Sequence, residues 1–204
     1  MKEKNKKLLE AFSEISGELL LDSQLHEGFL KEIPVVKTIL AVYKSGKSIQ
    51  EHLYLRKLKL FLENIEDFSE DDCQWFLKNA EDDEESLSSS LLLILDKIED
   101  ERKAVLIAKA FKVYVIERFS FETFNRILLI INRGFCDDLL KIVSFEDNNI
   151  LLTNGKHIES ESLDELFSCG LLTNQGLDAN DDGGTMYSLN KYGEIFLRIV
   201  KEMD

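Results

Sequence analysis

One proline and ten glycines in 204 residues supply little turn chemistry for a sandwich or a barrel, and the long stretches free of both favour helices. The three cysteines, Cys73, Cys136 and Cys169, are odd in number and far apart, which argues against a disulfide framework or a zinc motif. Each sits close to an aromatic residue (Trp75, Phe135, Phe167), the setting of a buried free thiol, so a reducing compartment is expected, the cytoplasm by default. His26, His52 and His157 are scattered without a second ligand at helical or hairpin spacing, and no metal centre is expected. The chain has no glycine-rich phosphate loop, nucleophile elbow or kinase-type lysine motif. Cys136-Asp137-Asp138 lacks a neighbouring base and reads as a helix start. Neither a catalytic residue nor a cofactor is therefore expected. No apolar run approaches the roughly 18 residues of a membrane span. The basic start alternates acids with apolar residues, as an amphipathic helix does and a signal peptide does not.

Positive charge is also scarce: 25 Lys/Arg stand against 39 Asp/Glu, a net charge of −14. The deficit is uneven. Residues 61–104 carry 4 basic and 15 acidic side chains, and residues 146–204 carry 4 and 12, whereas the two remaining blocks are slightly basic. Such acidic blocks are first a solvated surface that keeps a chain in solution. They also suit a basic partner, and they disfavour a phosphate backbone, whose affinity comes from Lys and Arg displacing counterions.

The apolar residues recur with helical period. Leu8, Leu9, Phe12 and Ile15 mark a first helix, and the pattern continues from Leu19 to Leu30 until Pro34 interrupts. Val36, Ile39, Leu40 and Tyr43 form an apolar stripe opposite Lys37, Ala41, Lys44 and Ser48, with Gly46 near the end. Leu55, Leu58, Leu62 and Ile65 predict a long helix from Ser48. Ser69 and Asp72 have capping-box spacing before a short helix through Trp75, Phe76 and Leu77. After an acidic run at 81–85, Leu87, Leu91, Leu95 and Ile98 mark another helix. Residues 101–118 are apolar on most faces and predict a central helix. Ser120 caps and Gly134 stops the next, which carries Phe124, Ile127, Leu128 and Ile131, and Cys136 to Phe145 forms one more. The texture then changes. Ile150 to Thr153 and Lys156 to Ile158 flank Asn154-Gly155, a tight-turn dipeptide, and predict a small hairpin. The division that follows is an all-α domain over 1–145 and an α+β unit over 146–204.

Within that unit, Ser162 and Glu165 stand three apart before Leu166-Phe167 and predict a reciprocal cap on a short helix ending at Gly170. Leu171-Leu172 starts a strand that pairs with Thr185 to Leu189, and Asn190 caps a last helix with Ile195, Phe196 and Ile199 inward. This G-L-L … Y-S-L-N-x-x-G-x-x-F order resembles the second half of a winged-helix module, over residues 162–200. The resemblance implies that the helix from Ser162 stands where a DNA reader exposes Arg, Lys, Asn or Gln. This chain offers Asp164, Glu165 and Ser168 there, and its wing adds Asp181 and Asp182, so docking of a protein is expected and nucleic acid is not. Asp178 to Gly183 matches the first half of a calcium loop, but Leu189 stands where the bidentate Glu belongs, and the segment reads as an Asp/Asn/Gly turn.

Residues 31–47 carry a second reading. The stretch I-P-V-V-K-T-I-L-A-V-Y-K-S-G-K is apolar on one side and basic on the other, so Val36, Ile39, Leu40 and Tyr43, with Lys37 and Lys44, have the profile of a helix lying on an anionic membrane. A core helix with its lysines in water is preferred, because the polar face has few lysines and the chain is acidic. That stretch, the L-R-K-L-K-L-F-L helix after it and the closing G-L-L … L-N-K-Y-G-E-I-F-L resemble bacterial and prophage proteins of the Abi-alpha abortive-infection type. The resemblance implies a role in phage defence or exclusion and names no catalytic residue.

The sequence thus predicts a mainly α protein: a helical bundle-like N-terminal domain followed by a small winged-helix-like α+β module. The expected function is that of a non-enzymatic bacterial or prophage interaction protein, acting in phage defence or exclusion on a protein partner that is basic by charge. Self-association is compatible with the same features. A winged-helix DNA-binding transcriptional regulator is the first alternative, and a peripheral membrane effector using the 31–47 helix is the second.

Overall fold

Helical periodicity with few breakers yields a mainly α protein whose described residues form eight α-helices and a small three-stranded antiparallel sheet. The computed structural model describes residues 36, 38, 39, 41, 49–65, 68–79, 84–155, 157–179 and 183–203. The helices expected before Pro34 lie outside these residues, as do Lys37, Leu40, Tyr43, Lys44, Asp181 and Asp182. The helices are α1 (Ile49–Asn64), α2 (Glu70–Asn79), α3 (Glu84–Lys97), α4 (Arg102–Glu117), α5 (Phe121–Arg133), α6 (Cys136–Leu140), α7 (Ser160–Ser168) and α8 (Lys191–Lys201). Val36, Thr38, Ile39 and Ala41 are helical as well, and a 3-10 turn, Lys141–Phe145, follows α6 directly.

The near-uniform apolarity of 101–118 places α4 at the centre, where α1, α2, α5 and α8 all pack against it. Phe111 holds the middle of an aromatic cluster, with Phe61, Phe68, Phe76 and Phe124 at ring-centroid distances of 5.7 to 6.2 Å, mostly edge-on. Lys103 is buried on the same helix and donates its ammonium to the Asn132 carbonyl at 3.0 Å, which satisfies the charge that burial would otherwise strand.

The predicted caps form at three helix starts. Ser69 Oγ accepts the Asp72 N–H (3.2 Å) and donates to its carboxylate (2.6 Å). Ser120 accepts the Thr123 N–H, and Asn190 accepts those of Tyr192 and Gly193. Gly134 ends α5 for a reason other than a left-handed backbone: its φ is −72°, and a Cβ there would meet Leu139 at 2.7 Å and Cys169 Sγ at 3.0 Å.

The sheet order is β1-β3-β2, with β1 (Leu151–Leu152), β2 (Leu172–Leu177) and β3 (Thr185–Leu189). β2 and β3 make the expected hairpin, running from Leu172 opposite Leu189 to Leu177 opposite Thr185, with a bulge between Asn174 and Gly176. The hairpin predicted at Asn154-Gly155 does not form. The chain does turn there, with the Gly155 N–H on the Leu152 carbonyl, yet Leu151 pairs with Tyr187 and Leu152 with Met186. Pairing with the free edge of β3 buries both Leu151 and Tyr187, which a local two-stranded ribbon on the surface would not do.

One apolar core runs from Val36 to Val200, across the 145/146 division. α8 packs on α4, α5 and the 3-10 turn, and its polar edge is tied down by ion pairs of Arg198 with Glu117, Lys112 with Glu202, and Lys201 with Glu146. Val36 and Ile39 are fully buried in this core. The membrane-facing assignment is thereby corrected for these two residues: their side chains are spent on packing, and a bilayer cannot reach them.

Candidate partner-binding surface

α7 is short and two-faced. Leu163 and Leu166 point into the core, while Glu161, Asp164, Phe167 and Ser168 are exposed. The helix ends at Gly170, whose φ of +88° suits glycine alone at no steric penalty. The expected reciprocal cap of Ser162 and Glu165 does not exist, because the helix begins two residues earlier, at Ser160, with Glu159 in the N-cap position. Ser162 is instead buried, donating its hydroxyl to Asp138 (2.6 Å) and accepting from the Lys141 ammonium (2.8 Å), and so it pins α7 to the end of α6.

Glu165 is half-buried. Its carboxylate accepts the Phe135 N–H at 3.3 Å and the Cys169 thiol at 3.4 Å. Burial, and then the Glu165 carboxylate, push the Cys169 thiol up to about 12. A thiol held protonated in this way is the reverse of an activated nucleophile. Burial also raises Cys136, with Asp100 adding to it. Asp164 accepts the Tyr187 hydroxyl at 3.3 Å, and the rings of Phe167 and Tyr187 lie 5.2 Å apart. Burial first, then this carboxylate, raise the Tyr187 phenol.

Of the predicted surface, Asp164 and Ser168 are therefore outward and Glu165 only partly so, while Asp181 and Asp182 lie outside the described residues. Glu161, not singled out from the sequence, completes an exposed stripe with Asp164 and Ser168 at helical spacing. Sequence reading also passed over the wet side of α5, which presents Glu122, Arg126, Leu129 and Arg133, with Arg126 reaching the Gly170 end of α7. The complement of its buried set, Phe124, Ile127, Leu128 and Ile131, was the signal that marks this stripe. Phe135, just beyond, is 72% exposed.

An open cavity of about 560 Å³ lies beside the 3-10 turn and the residues leading into α7, lined among others by Lys141, His157 and Glu159. Lys141 is engaged there with Glu159 (2.6 Å), which also occupies the lining and holds the ammonium in its charged form. Among the described residues no three His, Cys, Asp or Glu converge as metal ligands, and no helix is long and apolar enough to cross a membrane. The chain matches no protein-family model, no curated protein and no solved structure.

Proposed function

We propose that this chain is a non-enzymatic interaction protein whose α7 face docks a basic protein partner. The observation that carries the reading is the exposed stripe of Glu161, Asp164 and Ser168, with Phe167 exposed beside it, on the helix where a winged-helix DNA reader would be basic. Carboxylates there repel phosphate and attract Lys and Arg, and an exposed aromatic supplies the apolar anchor that protein interfaces use. The setting, phage defence or exclusion in a bacterial or prophage cytoplasm, is supported by the layout of the sequence.

The test places a photo-crosslinking amino acid at Ser168 and activates it in bacteria expressing the chain. A discrete crosslinked protein with a basic surface, weakened by Asp164→Lys, is expected. Crosslinking indifferent to that charge reversal sinks the reading, and salt-sensitive binding of duplex DNA that Asp164→Lys strengthens moves the assignment to the regulator. Unchanged plaque counts across a phage panel remove the defence setting while leaving the docking role intact.

A further inference from the structure

α5 brings positive charge to the edge of α7. Arg126 and Arg133 are exposed seven residues apart on one side of α5, with Leu129 (43% exposed) between them and Phe135 just beyond. Neither arginine makes an ion pair among the described residues. Arg126 lies instead over the Tyr192 ring at 5.7 Å, and Lys191 approaches the same ring at 4.7 Å, so two cations share one aromatic ring at this end of the surface.

This basic stripe adjoins the acidic one. The Phe135 N–H meets Glu165 of α7, and a Cβ on Gly170, at the end of α7, would stand 3.7 Å from Arg126 Nη2. Past Glu122 at the start of α5, the surface is thus positive at Arg126 and Arg133, negative along α7, and studded with the exposed apolar side chains of Leu129, Phe135 and Phe167. A face with opposite charges side by side becomes complementary to itself after a two-fold rotation about an axis parallel to the stripes, because each stripe then meets its opposite and the contact forms twice per dimer. The net charge of −14 on each copy opposes approach, but screening confines that repulsion to about 8 Å at physiological ionic strength, and contact pairs decide.

We propose that this face is a two-fold interface between two copies of the chain, with Arg126 and Arg133 of one protomer set against the carboxylates of Glu161 and Asp164 on its partner. The inference rests on the α7 face being a docking surface and names the Arg126/Arg133 stripe of a second copy as the basic surface that it meets.

Sedimentation of the full chain across a concentration series at near-physiological salt tests it. A reversible dimer is expected, weakened at least tenfold in R126E/R133E and likewise in E161K/D164K, each with the wild-type circular dichroism spectrum. Mixing the two variants should restore a heterodimer, a rescue that a folding defect cannot produce. A wild-type chain monomeric at every concentration, a dimer indifferent to both reversals, or an Arg126/Arg133 stripe that takes up an acidic peptide with the protein monomeric would each overturn the proposal. If the chain is monomeric while the Ser168 crosslink to a basic protein persists and needs Asp164, the second copy is excluded and the docking function stands.

Discussion

Gly193 sits against the Leu171 carbonyl so closely that a Cβ on residue 193 would overlap the oxygen. That same oxygen accepts the Asn190 N–H at 3.1 Å, so β2 and the first turn of α8 are joined backbone to backbone. The approach fixes how the last helix seats on the sheet. Gly193→Ala should destabilise the protein by about 1–3 kcal/mol through overpacking, since neither backbone can retreat without breaking the Asn190 bond. Urea unfolding would show a lower midpoint at an unchanged slope, and a midpoint equal to wild type would mean that the contact is slack.

Arg198 grips Glu117 with two nitrogens, at 2.6 and 2.8 Å, and links α8 to the central α4. Both side chains are a third or more exposed, 47% and 33%, so water and salt screen the pair. Removing the charge with Glu117→Gln should lower stability by no more than about 1 kcal/mol. The difference from wild type should shrink in molar salt. A large, salt-independent loss would indicate that the side chain is needed for packing and that the charge is incidental.

Helix positions were legible from apolarity alone for α4, and where a buried stripe and a cap coincided for α5, from Ser120 and the Phe124 to Ile131 pattern, and α8, from Asn190. Sequence reasoning failed where two local options competed and a distant partner decided. Asn154-Gly155 carries a hairpin signal, but Tyr187 of β3, 36 residues on from Leu151, offers that leucine a buried place in the core. Ser162 carries a capping signal, but Asp138 and Lys141 claim its hydroxyl. The acidic side of the candidate surface was visible because charge of one sign stands out in a window. Its basic side was hidden because Arg126 and Arg133 look like ordinary wet positions until α7 is laid beside them.

The Cys169 thiol gives the protein an alkaline dependence with a definite sign. Folded, the group keeps its proton to about 12, whereas an unfolded thiol loses it near 8.5. Between those values the unfolded chain has released a proton that the folded chain retains, so stability falls as pH rises, by up to about 1.4 kcal/mol per unit from this group. Below that window Cys169 contributes no slope. Cys136 is raised in the same direction, so Cys169→Ala should flatten the decline without abolishing it, on top of a constant packing loss. Urea midpoints of both proteins from about pH 8 to 10.5 decide the matter, and parallel curves would refute a thiol contribution.

Ile39 separates the two readings of the 31–47 stretch by its stability effect. A residue resting on a lipid surface contributes nothing to folding in water, whereas Ile39 is fully buried with Val36 in a core shared with Leu58, Phe61 and Phe111. Ile39→Ala removes three carbons from that core and should destabilise the protein by about 2–4 kcal/mol, the range for truncating a buried aliphatic side chain. Flotation with anionic vesicles supplies the opposite readout, because apolar contact with acyl chains would make binding fall on the same substitution. Loss of stability without any vesicle-bound fraction in wild type fits the buried position. Wild-type stability in Ile39→Ala, together with flotation that the substitution abolishes, would return the residue to a membrane face and contradict the packing described above.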